Sequence, residues 1–238
     1  MKIKLGKSDK VFHVLNYIFL LLALLSVLFP ILNVIASSFS SPNAVVGGRV
    51  TIFPVELNFE AYKQVFQSNR IVRGFLNTVG YTVFGTMINI VLTIMIAYPI
   101  SRKKIIGRKA IIGFLSFTMI FSGGMIPTFL VVNDLGLYDT FWALLIPNAL
   151  SVWNVMIARS FFENTIPGEL YEAAEIDGCS EIRMLFNIVL PLSTSVIAVL
   201  VLYYAIGHWN TYMSGLIYLK DPNLQPLQVV LRNILANT

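Results

Sequence analysis

Acidic side chains are concentrated in one stretch of this basic and apolar chain. Carboxylates that lie this close together could take part in catalysis or in binding. Between Arg159 and Asn187 there are six acidic and two basic residues, and the protein has only twelve acidic residues in all. Paired carboxylates can act as general acid and base, but no histidine, catalytic nucleophile or phosphate-binding glycine loop accompanies these. This disfavours an active site and leaves two alternatives, a solvated loop without a partner and a docking surface for another protein.

The spacing within the stretch predicts a short helix that begins near Pro167, since proline is well tolerated in the first helical turn. Acidic residues recur every three positions and would form one stripe towards the helix N-terminus, where negative charge is favourable. The stripe consists of Glu169, Glu172 and Glu175. An adjacent face is small, so another surface could approach it closely. This face consists of Leu170, Ala173 and Ala174.

Two residues predict how this helix ends and how the next one begins. Gly178 suits a helix stop, because glycine adopts a left-handed backbone at little cost. Ser180 can cap a second helix, which would enter the following apolar segment through Pro191. The result would be a helix, a tight turn and a second helix, roughly parallel to a membrane and shaped for docking rather than for catalysis.

Composition indicates that lipid, not water, is the solvent of this chain. Of its 238 residues, 56% are hydrophobic and 12% are charged, and the mean hydropathy is +0.75, whereas soluble domains carry about 25% charged residues. The net charge of +5 is explained by basic loops beside anionic lipid, so no nucleic acid partner is predicted. Cys179 is the only cysteine, which excludes an intrachain disulfide, and no cysteine–histidine group predicts a metal site.

Five apolar segments each have a length near the ~20 residues that a helix needs to cross a bilayer. Helices are expected because a helix satisfies its own backbone hydrogen bonds in hydrocarbon. The predicted spans are 11–36, 74–101, 110–132, 141–158 and 188–207. The first could instead be a secretory signal, but it exceeds the ~7–15 apolar residues of such signals, so we interpret it as a retained span. The predicted fold class is an all-α, polytopic integral membrane protein.

The distribution of basic residues predicts which side of the membrane each loop faces. With a cytoplasmic N-terminus, the inside segments hold 11 lysines and arginines and the outside segments hold six, in agreement with the positive-inside rule. The whole chain, 1–238, is then predicted to be one transmembrane domain. Its cytoplasmic segments are 1–10, 102–109 and 159–187, and its extracytoplasmic segments are the loop 37–72 and the tail 208–238.

The predicted second to fifth spans have no ionisable group in their central parts, whereas proton- or sodium-driven carriers usually need such groups within the bilayer. Neutral amides, hydroxyls and aromatic rings are present instead, and these suit a sugar, which needs hydrogen bonds and stacking without charge. The alternative is ordinary helix packing and interfacial anchoring. We interpret His208 as an interfacial residue. The candidate substrate-path residues are Asn77, Tyr81, Asn89, Asn148, Asn154, Tyr203 and Asn210.

A specific motif runs through the acidic stretch: Glu-Ala-Ala, three residues, Gly, nine residues and Ile-x-Leu-Pro. Residues 172–174, Gly178 and residues 188–191 meet it in full. The motif resembles the EAA loop of the inner-membrane permease subunits of binding-protein-dependent ABC importers. Other segments are similar to the carbohydrate branch of that family, of the type of the smaller maltose or oligosaccharide permease subunit. These segments are 75–78, 122–128 and 209–210.

The resemblance implies that the chain is a permease subunit for a sugar or oligosaccharide and is not itself an enzyme. The EAA loop would be a coupling helix that sits in a cleft of a separate ATPase. That ATPase would bind ATP and Mg²⁺, so this chain would bind no cofactor. The other implied partners are a second homologous permease subunit and an extracytoplasmic solute-binding protein or lipoprotein, at the inner membrane of a prokaryote. The implied coupling residues are Glu172, Ala173, Ala174, Glu175, Asp177, Gly178 and Pro191.

The tail departs from the family pattern, because such permeases usually have a sixth span and this sequence shows five. Apolar residues with helical spacing predict an amphipathic helix over 227–235. This helix would lie on the membrane surface or lead into a further span. Two alternative functions therefore stand beside the importer subunit: a carrier or channel that works alone, and an inactive truncated membrane subunit.

Overall fold

Helices make up most of the chain in the computed structural model, which describes residues 6–236 and has no strand among them. This confirms the all-α, polytopic fold class. The helices fall into two units, Met1–Ser68 and Asn69–Thr238, and the prediction of one transmembrane domain over 1–238 stays a prediction. Half of the predicted cytoplasmic segment 1–10 and the last two residues of the tail lie outside the described residues.

The first unit consists of α1 (Lys7–Ser38), α2 (Pro42–Val46) and α3 (Glu60–Gln67). α1 contains the predicted first span and is long and apolar enough to cross a membrane, and its large hydrophobic side chains are exposed along its length. Near its end Ala36 packs with Ala44 and Val50, and the Asn33 amide donates to the Val50 carbonyl oxygen at 3.1 Å. A helix with so much exposed apolar surface requires lipid or another apolar surface around it.

The second unit is built around one long helix, α4 (Asn69–Ser101), which is long and apolar enough to cross a membrane and confirms the predicted second span. Small and polar residues recur along it every three or four positions, which places them on one face. This face is buried because α4 packs against α8, α11 and α13. Its members are Gly74, Thr78, Tyr81, Gly85, Asn89, Thr93, Ala97 and Ser101.

The other helices of the second unit are shorter. Two apolar clusters hold them together: one surrounds Ala97 and Tyr98 near the C-terminal end of α4, and the other surrounds Tyr81. The helices are α5 (Arg108–Ile120), α6 (Met125–Asp134), α7 (Trp142–Leu145), α8 (Val152–Thr165), α9 (Gly168–Ile176), α10 (Glu181–Leu192), α11 (Thr194–Trp209), α12 (Tyr212–Tyr218) and α13 (Leu227–Ala236).

Two of the predicted spans are bent pairs of helices. The segment 110–132 is divided into α5 and α6, which are bent by 112° next to Gly124, a residue with a φ of +84° that favours glycine. The segment 188–207 is divided between α10 and α11, bent by 82°. A π-helical turn, Leu185–Val189, precedes Pro191, and the bend falls at Ser193, two residues beyond the predicted joint.

The predicted fourth span is wrong as a continuous helix. Residues 146–151 are not helical and separate α7 from α8. Pro147 contributes to this break, since proline lacks a backbone N–H and fixes its φ. By length and composition, two of the described helices could each cross a membrane, or four spans result if each bent pair counts as one. The structure therefore shows fewer helical spans than the five predicted segments.

The tail helix α13 exists as predicted but packs on α4. Val229 and Val230 are buried, and Gly74 of α4 allows the approach, because a Cβ there would lie 3.0 Å from Val230 Cγ2. The predicted apolar stripe is only partly used, since Leu231 and Leu235 remain exposed. α13 therefore begins as a part of the second unit and does not lie alone on a membrane surface.

Candidate functional site

The acidic loop, residues 159–187, forms the predicted helix–turn–helix. Pro167 directly precedes α9, and Gly178 follows it with a φ of +70°. The Cys179 N–H donates to the Ala174 carbonyl at 2.9 Å, and the Gly178 N–H donates to the Glu175 carbonyl at 3.1 Å. These two bonds are a Schellman stop with glycine at the left-handed position, so the predicted glycine stop is confirmed.

The second helix of the loop begins as predicted. The Ser180 hydroxyl accepts a hydrogen bond from the Arg183 N–H at 3.4 Å and caps α10. Cys179 between the two helices is partly buried. The turn is therefore determined by short-range hydrogen bonds, which explains why residue types alone were enough to predict it.

The predicted small face of α9 is not one face. Ala174 is buried and packs with Tyr171 in the apolar cluster at the end of α4, whereas Ala173 is exposed. Neighbouring residues on a helix point about 100° apart, so these two alanines face different surroundings. Ala174 holds α9 against the chain, and Ala173 is available to a partner.

The three glutamates of the acidic stripe also point in different directions. Glu175 turns towards the end of α4, where its Oε1 lies 2.9 Å from Arg102 Nη2 and its other oxygen pairs with Lys104. The hydrogen bond from Lys104, together with the charges of Lys104 and Arg102, holds the pKa of Glu175 below its ordinary value of 4.5. Within the described residues, Glu169 and Glu172 make no ion pair, so their charges face outward.

Exposed apolar side chains accompany these outward charges, and the sequence analysis did not predict their exposure. Ile176 is 86% exposed, Ile182 72% and Phe186 61%. Large exposed apolar patches with polar residues around them mark sites of contact with proteins or membranes. The only signal in the sequence was three large apolar residues in a charged loop, which does not say which way they point. We call the following set the loop surface: Glu169, Glu172, Ala173, Ile176, Asp177, Ile182 and Phe186.

A cavity of about 580 Å³ lies beside the break between α7 and α8, within the size range of small-molecule sites. Residues of the break, of α8, of α11 and of the start of α12 line it. Four of the predicted path residues are among them: Asn148, Asn154, Tyr203 and Asn210. Ser151 and Tyr204, two further polar residues of the predicted fourth and fifth spans, also line it, together with His208, Thr211 and Tyr212, which the sequence analysis did not propose for the path.

Three predicted path residues are engaged elsewhere. The Asn77 amide donates to the Asn223 and Gln225 carbonyl oxygens at 2.7 and 3.1 Å, and the Tyr81 hydroxyl donates to the Leu224 carbonyl at 2.7 Å. They hold the segment before α13 against α4. Asn89 is buried behind the cavity wall and does not line it. For these three residues the structure agrees with the alternative of helix packing.

Hydrogen bonds stabilise the break between α7 and α8. Asn89 Nδ2 donates to the Asn148 carbonyl at 2.6 Å. Thr93 Oγ1 and the Tyr204 hydroxyl are 2.6 Å apart, and that hydroxyl accepts from the Ser151 N–H at 3.3 Å. At membrane depth, irregular backbone is tolerated where it is buried in protein or lines a water-filled cavity. Here Asn148, Leu150 and Ser151 of the break line the cavity, and breaks of this kind form binding sites in membrane transporters.

The hydrogen bonds of Asn89 determine the protonation of His208. A carbonyl oxygen can only accept, so Asn89 directs its Nδ2 at Asn148 and its Oδ1 at His208 Nε2, which is 2.6 Å away. Nε2 therefore carries a proton and donates to Asn89 Oδ1. The His208 ring is buried against α4 where Gly85 has no side chain, and its interpretation as interfacial stays a prediction.

The chain is similar to known transport proteins over most of its length. Residues 68–236 match the family described as binding-protein-dependent transport system inner membrane component. The chain is 43% identical over 227 residues to the polygalacturonan/rhamnogalacturonan transport system permease protein YtcP of Bacillus subtilis (strain 168), covering 95% of this chain and 79% of that protein. It is 29% identical over 184 residues to the melibiose/raffinose/stachyose import permease protein MelC of the same organism, covering 76% and 67%.

A solved structure is also similar. A chain in the crystal structure of a bacterial ABC transporter involved in the import of the acidic polysaccharide alginate superimposes with a TM-score of 0.93 at 34% identity. The match covers 99% of the present chain and 84% of the other.

Proposed function

Since the chain belongs to the family of binding-protein-dependent transport system inner membrane components and is a permease subunit of an ABC importer, we propose that it conducts a sugar or oligosaccharide through the cavity beside the α7–α8 break. Movement would be driven by a separate ATPase that docks on the loop surface. The chain is a membrane protein of the inner membrane, and the proposed orientation has the N-terminus and the acidic loop in the cytoplasm.

The observation that supports the proposed substrate is the lining of the cavity. It contains amides, hydroxyls and tyrosine rings, and no aspartate, glutamate, lysine or arginine. Hydroxyl groups of a sugar can donate to and accept from such groups, and tyrosine rings can stack on the apolar faces of a sugar. The relatives named above are permeases for polysaccharides or oligosaccharides, and the similar structure belongs to an importer of a polysaccharide.

The proposed partners follow from the family and from the exposed surfaces. ABC ATPase subunits would pair basic groups with the outward acids of the loop surface and cover Ile176, Ile182 and Phe186. These ATPase subunits would hold ATP and Mg²⁺, since this chain has no Gly-x-x-x-x-Gly-Lys-Ser/Thr sequence for a phosphate loop. A second homologous permease subunit would complete the path, and an extracytoplasmic solute-binding protein or lipoprotein would deliver the sugar.

The decisive experiment is reconstitution of the chain with the partners that copurify from its native membrane in mild detergent. Uptake of labelled oligosaccharide into proteoliposomes should require both ATP and the binding protein. Uptake that persists without either of them would support the stand-alone carrier or channel instead. Recovery of the chain without any ATPase would support the inactive membrane subunit.

Truncating a cavity side chain tests the path. Tyr203→Ala should raise the KM for uptake about fivefold to tenfold, because a hydrogen bond to the sugar and part of a ring contact are lost, which is about 1–1.5 kcal/mol. The matched control is Leu202→Ala on the same turn of α11, since Leu202 is exposed and does not line the cavity. Equal uptake kinetics in the two variants would contradict the proposed path at Tyr203.

A further inference from the structure

The end of α4 makes a side-chain junction with both helices of the acidic loop. Arg102, directly after α4, has its guanidinium carbon 3.7 Å from the centroid of the Tyr171 ring. Its Nη2 lies 2.9 Å from Glu175 Oε1 and 3.8 Å from Glu181 Oε1. One side chain therefore contacts α9 twice and the first turn of α10 once.

A tyrosine within α4 strengthens the junction. The Tyr98 hydroxyl donates to Glu181 Oε2 at 2.5 Å, so α10 is attached to α4 independently of Arg102. We call Tyr98, Arg102, Tyr171, Glu175 and Glu181 the α4 clasp. Sequence analysis assigned Arg102 only to a basic loop and Tyr98 to a span, because the residues that they contact are more than 65 positions away along the chain.

Burial of Arg102 strengthens its contacts with α9 relative to an ordinary surface ion pair. The Arg102 side chain is 12% exposed and that of Glu175 is 35% exposed, whereas that of Glu181 is 61% exposed, and ion pairs are screened much less when they are partly buried. A guanidinium over a tyrosine ring is further attracted by the ring electrons, most strongly when water is excluded. Tyr171 is buried beneath Arg102, and burial raises the pKa of its hydroxyl. The clasp therefore joins α4 to the acidic loop firmly enough for a displacement of one to move the other.

The other connection from the loop into the membrane is less direct. It runs through the π-helical turn in α10, past Pro191, and around the 82° bend into α11. The hydroxyl of Ser193 at this bend is buried and makes no hydrogen bond within the described residues. Helices bend at such interruptions, so a push on α10 can be absorbed there before it reaches α11.

α4, in contrast, is one continuous helix from Tyr98 to the cavity wall, and its interior proline, Pro99, lies at the clasp end. Tyr98 is nine residues from Asn89, which is roughly 14 Å along a helix. Asn89 binds the Asn148 carbonyl and His208, and Thr93 binds Tyr204. The helix that the clasp grips is thus the helix whose side chains support the cavity.

We propose that α4 transmits the movement of the acidic loop to the cavity, with Arg102 as the positioning residue that connects them. The proposal rests on the proposed function, in which an ATPase moves this loop. Arg102 touches neither the sugar nor ATP. It keeps α9 and α10 fixed to α4, so that a displacement of the loop surface becomes a displacement of Asn89 and Thr93.

The test is the number of ATP molecules hydrolysed per sugar transported by the reconstituted importer. Arg102→Gln should leave assembly with the ATPase and ATP hydrolysis in place while the ratio rises fivefold or more. Arg102→Lys, which keeps the charge but loses the planar group over Tyr171, should give an intermediate ratio. The matched control is Lys109→Gln, which removes a charge from the same basic segment at an exposed position and should leave the ratio unchanged.

Two outcomes would overturn the proposal. One is an unchanged ratio in Arg102→Gln, and the other is an equal rise in Lys109→Gln. If Arg102→Gln does not assemble with the ATPase, the ratio is measured in Tyr98→Phe instead, because this variant removes only the hydroxyl bound to Glu181. That variant should raise the ratio in the same direction by a smaller factor, and an unchanged ratio would exclude transmission through the clasp. Failure of the proposed function would be distinguishable, since the unmodified importer would then show no ATP-dependent uptake.

Discussion

Replacing Ala173 with tryptophan is expected to abolish most sugar uptake while the subunit itself remains folded. Ala173 is an exposed residue of the loop surface, next in sequence to Glu172 and three residues before the outward Ile176. A large ring at a close interface costs about 1–3 kcal/mol through overpacking, which weakens association by roughly fivefold to more than a hundredfold. The measurement is the affinity of the purified permease for its ATPase, followed by uptake in proteoliposomes.

The adjacent alanine provides the control for this prediction. Ala174 is 6% exposed and lies inside the apolar cluster, so Ala174→Trp should lower the melting temperature of the permease in detergent and reduce its yield in membranes. Ala173→Trp should do neither. If both variants lose stability to the same extent, or if Ala173→Trp binds the ATPase normally, the assignment of Ala173 to the loop surface is wrong.

Replacing Gly85 with alanine is expected to disable the cavity. A Cβ at this position would lie 2.5 Å from His208 Cε1 and Nε2, a distance that no structure tolerates, so the ring must move. The bond between His208 and Asn89 would then be lost, and an unsatisfied buried acceptor costs about 1–3 kcal/mol. Uptake should fall at least tenfold, and the thermal stability of the subunit should decrease.

Gly80 on the same helix is the matched control, because a Cβ there meets only Phe141 Cε2 at 3.9 Å, an ordinary contact. Gly80→Ala should be neutral or slightly stabilising, since alanine favours a helix by about 1 kcal/mol over glycine. The double variant Gly85→Ala with His208→Ala should recover part of the stability but not the uptake. Similar behaviour of Gly85→Ala and Gly80→Ala would show that the His208 contact is unimportant.

The sequence by itself determined the fold class, the family and the local structure of the acidic loop. Apolar segments interrupted by basic loops predict a helical membrane protein, and the structure is helical throughout its described elements. The stop at Gly178 and the cap at Ser180 were predictable because each depends on hydrogen bonds between residues only a few positions apart. The EAA motif was recognisable for the same reason, since its meaning lies in spacing along the chain.

Only the tertiary structure decided which side of each element is used. It separates Ala173 from Ala174 and turns Glu175 inward onto Arg102, 73 positions away. It assigns Asn77 and Tyr81 to the segment before α13, and it places His208 beside Asn89, 119 positions away. Hydropathy and spacing describe what a segment contains, but the direction of a side chain depends on the surface that packs against it. In this protein that surface is mostly α4, and its contacts join residues far apart in the sequence.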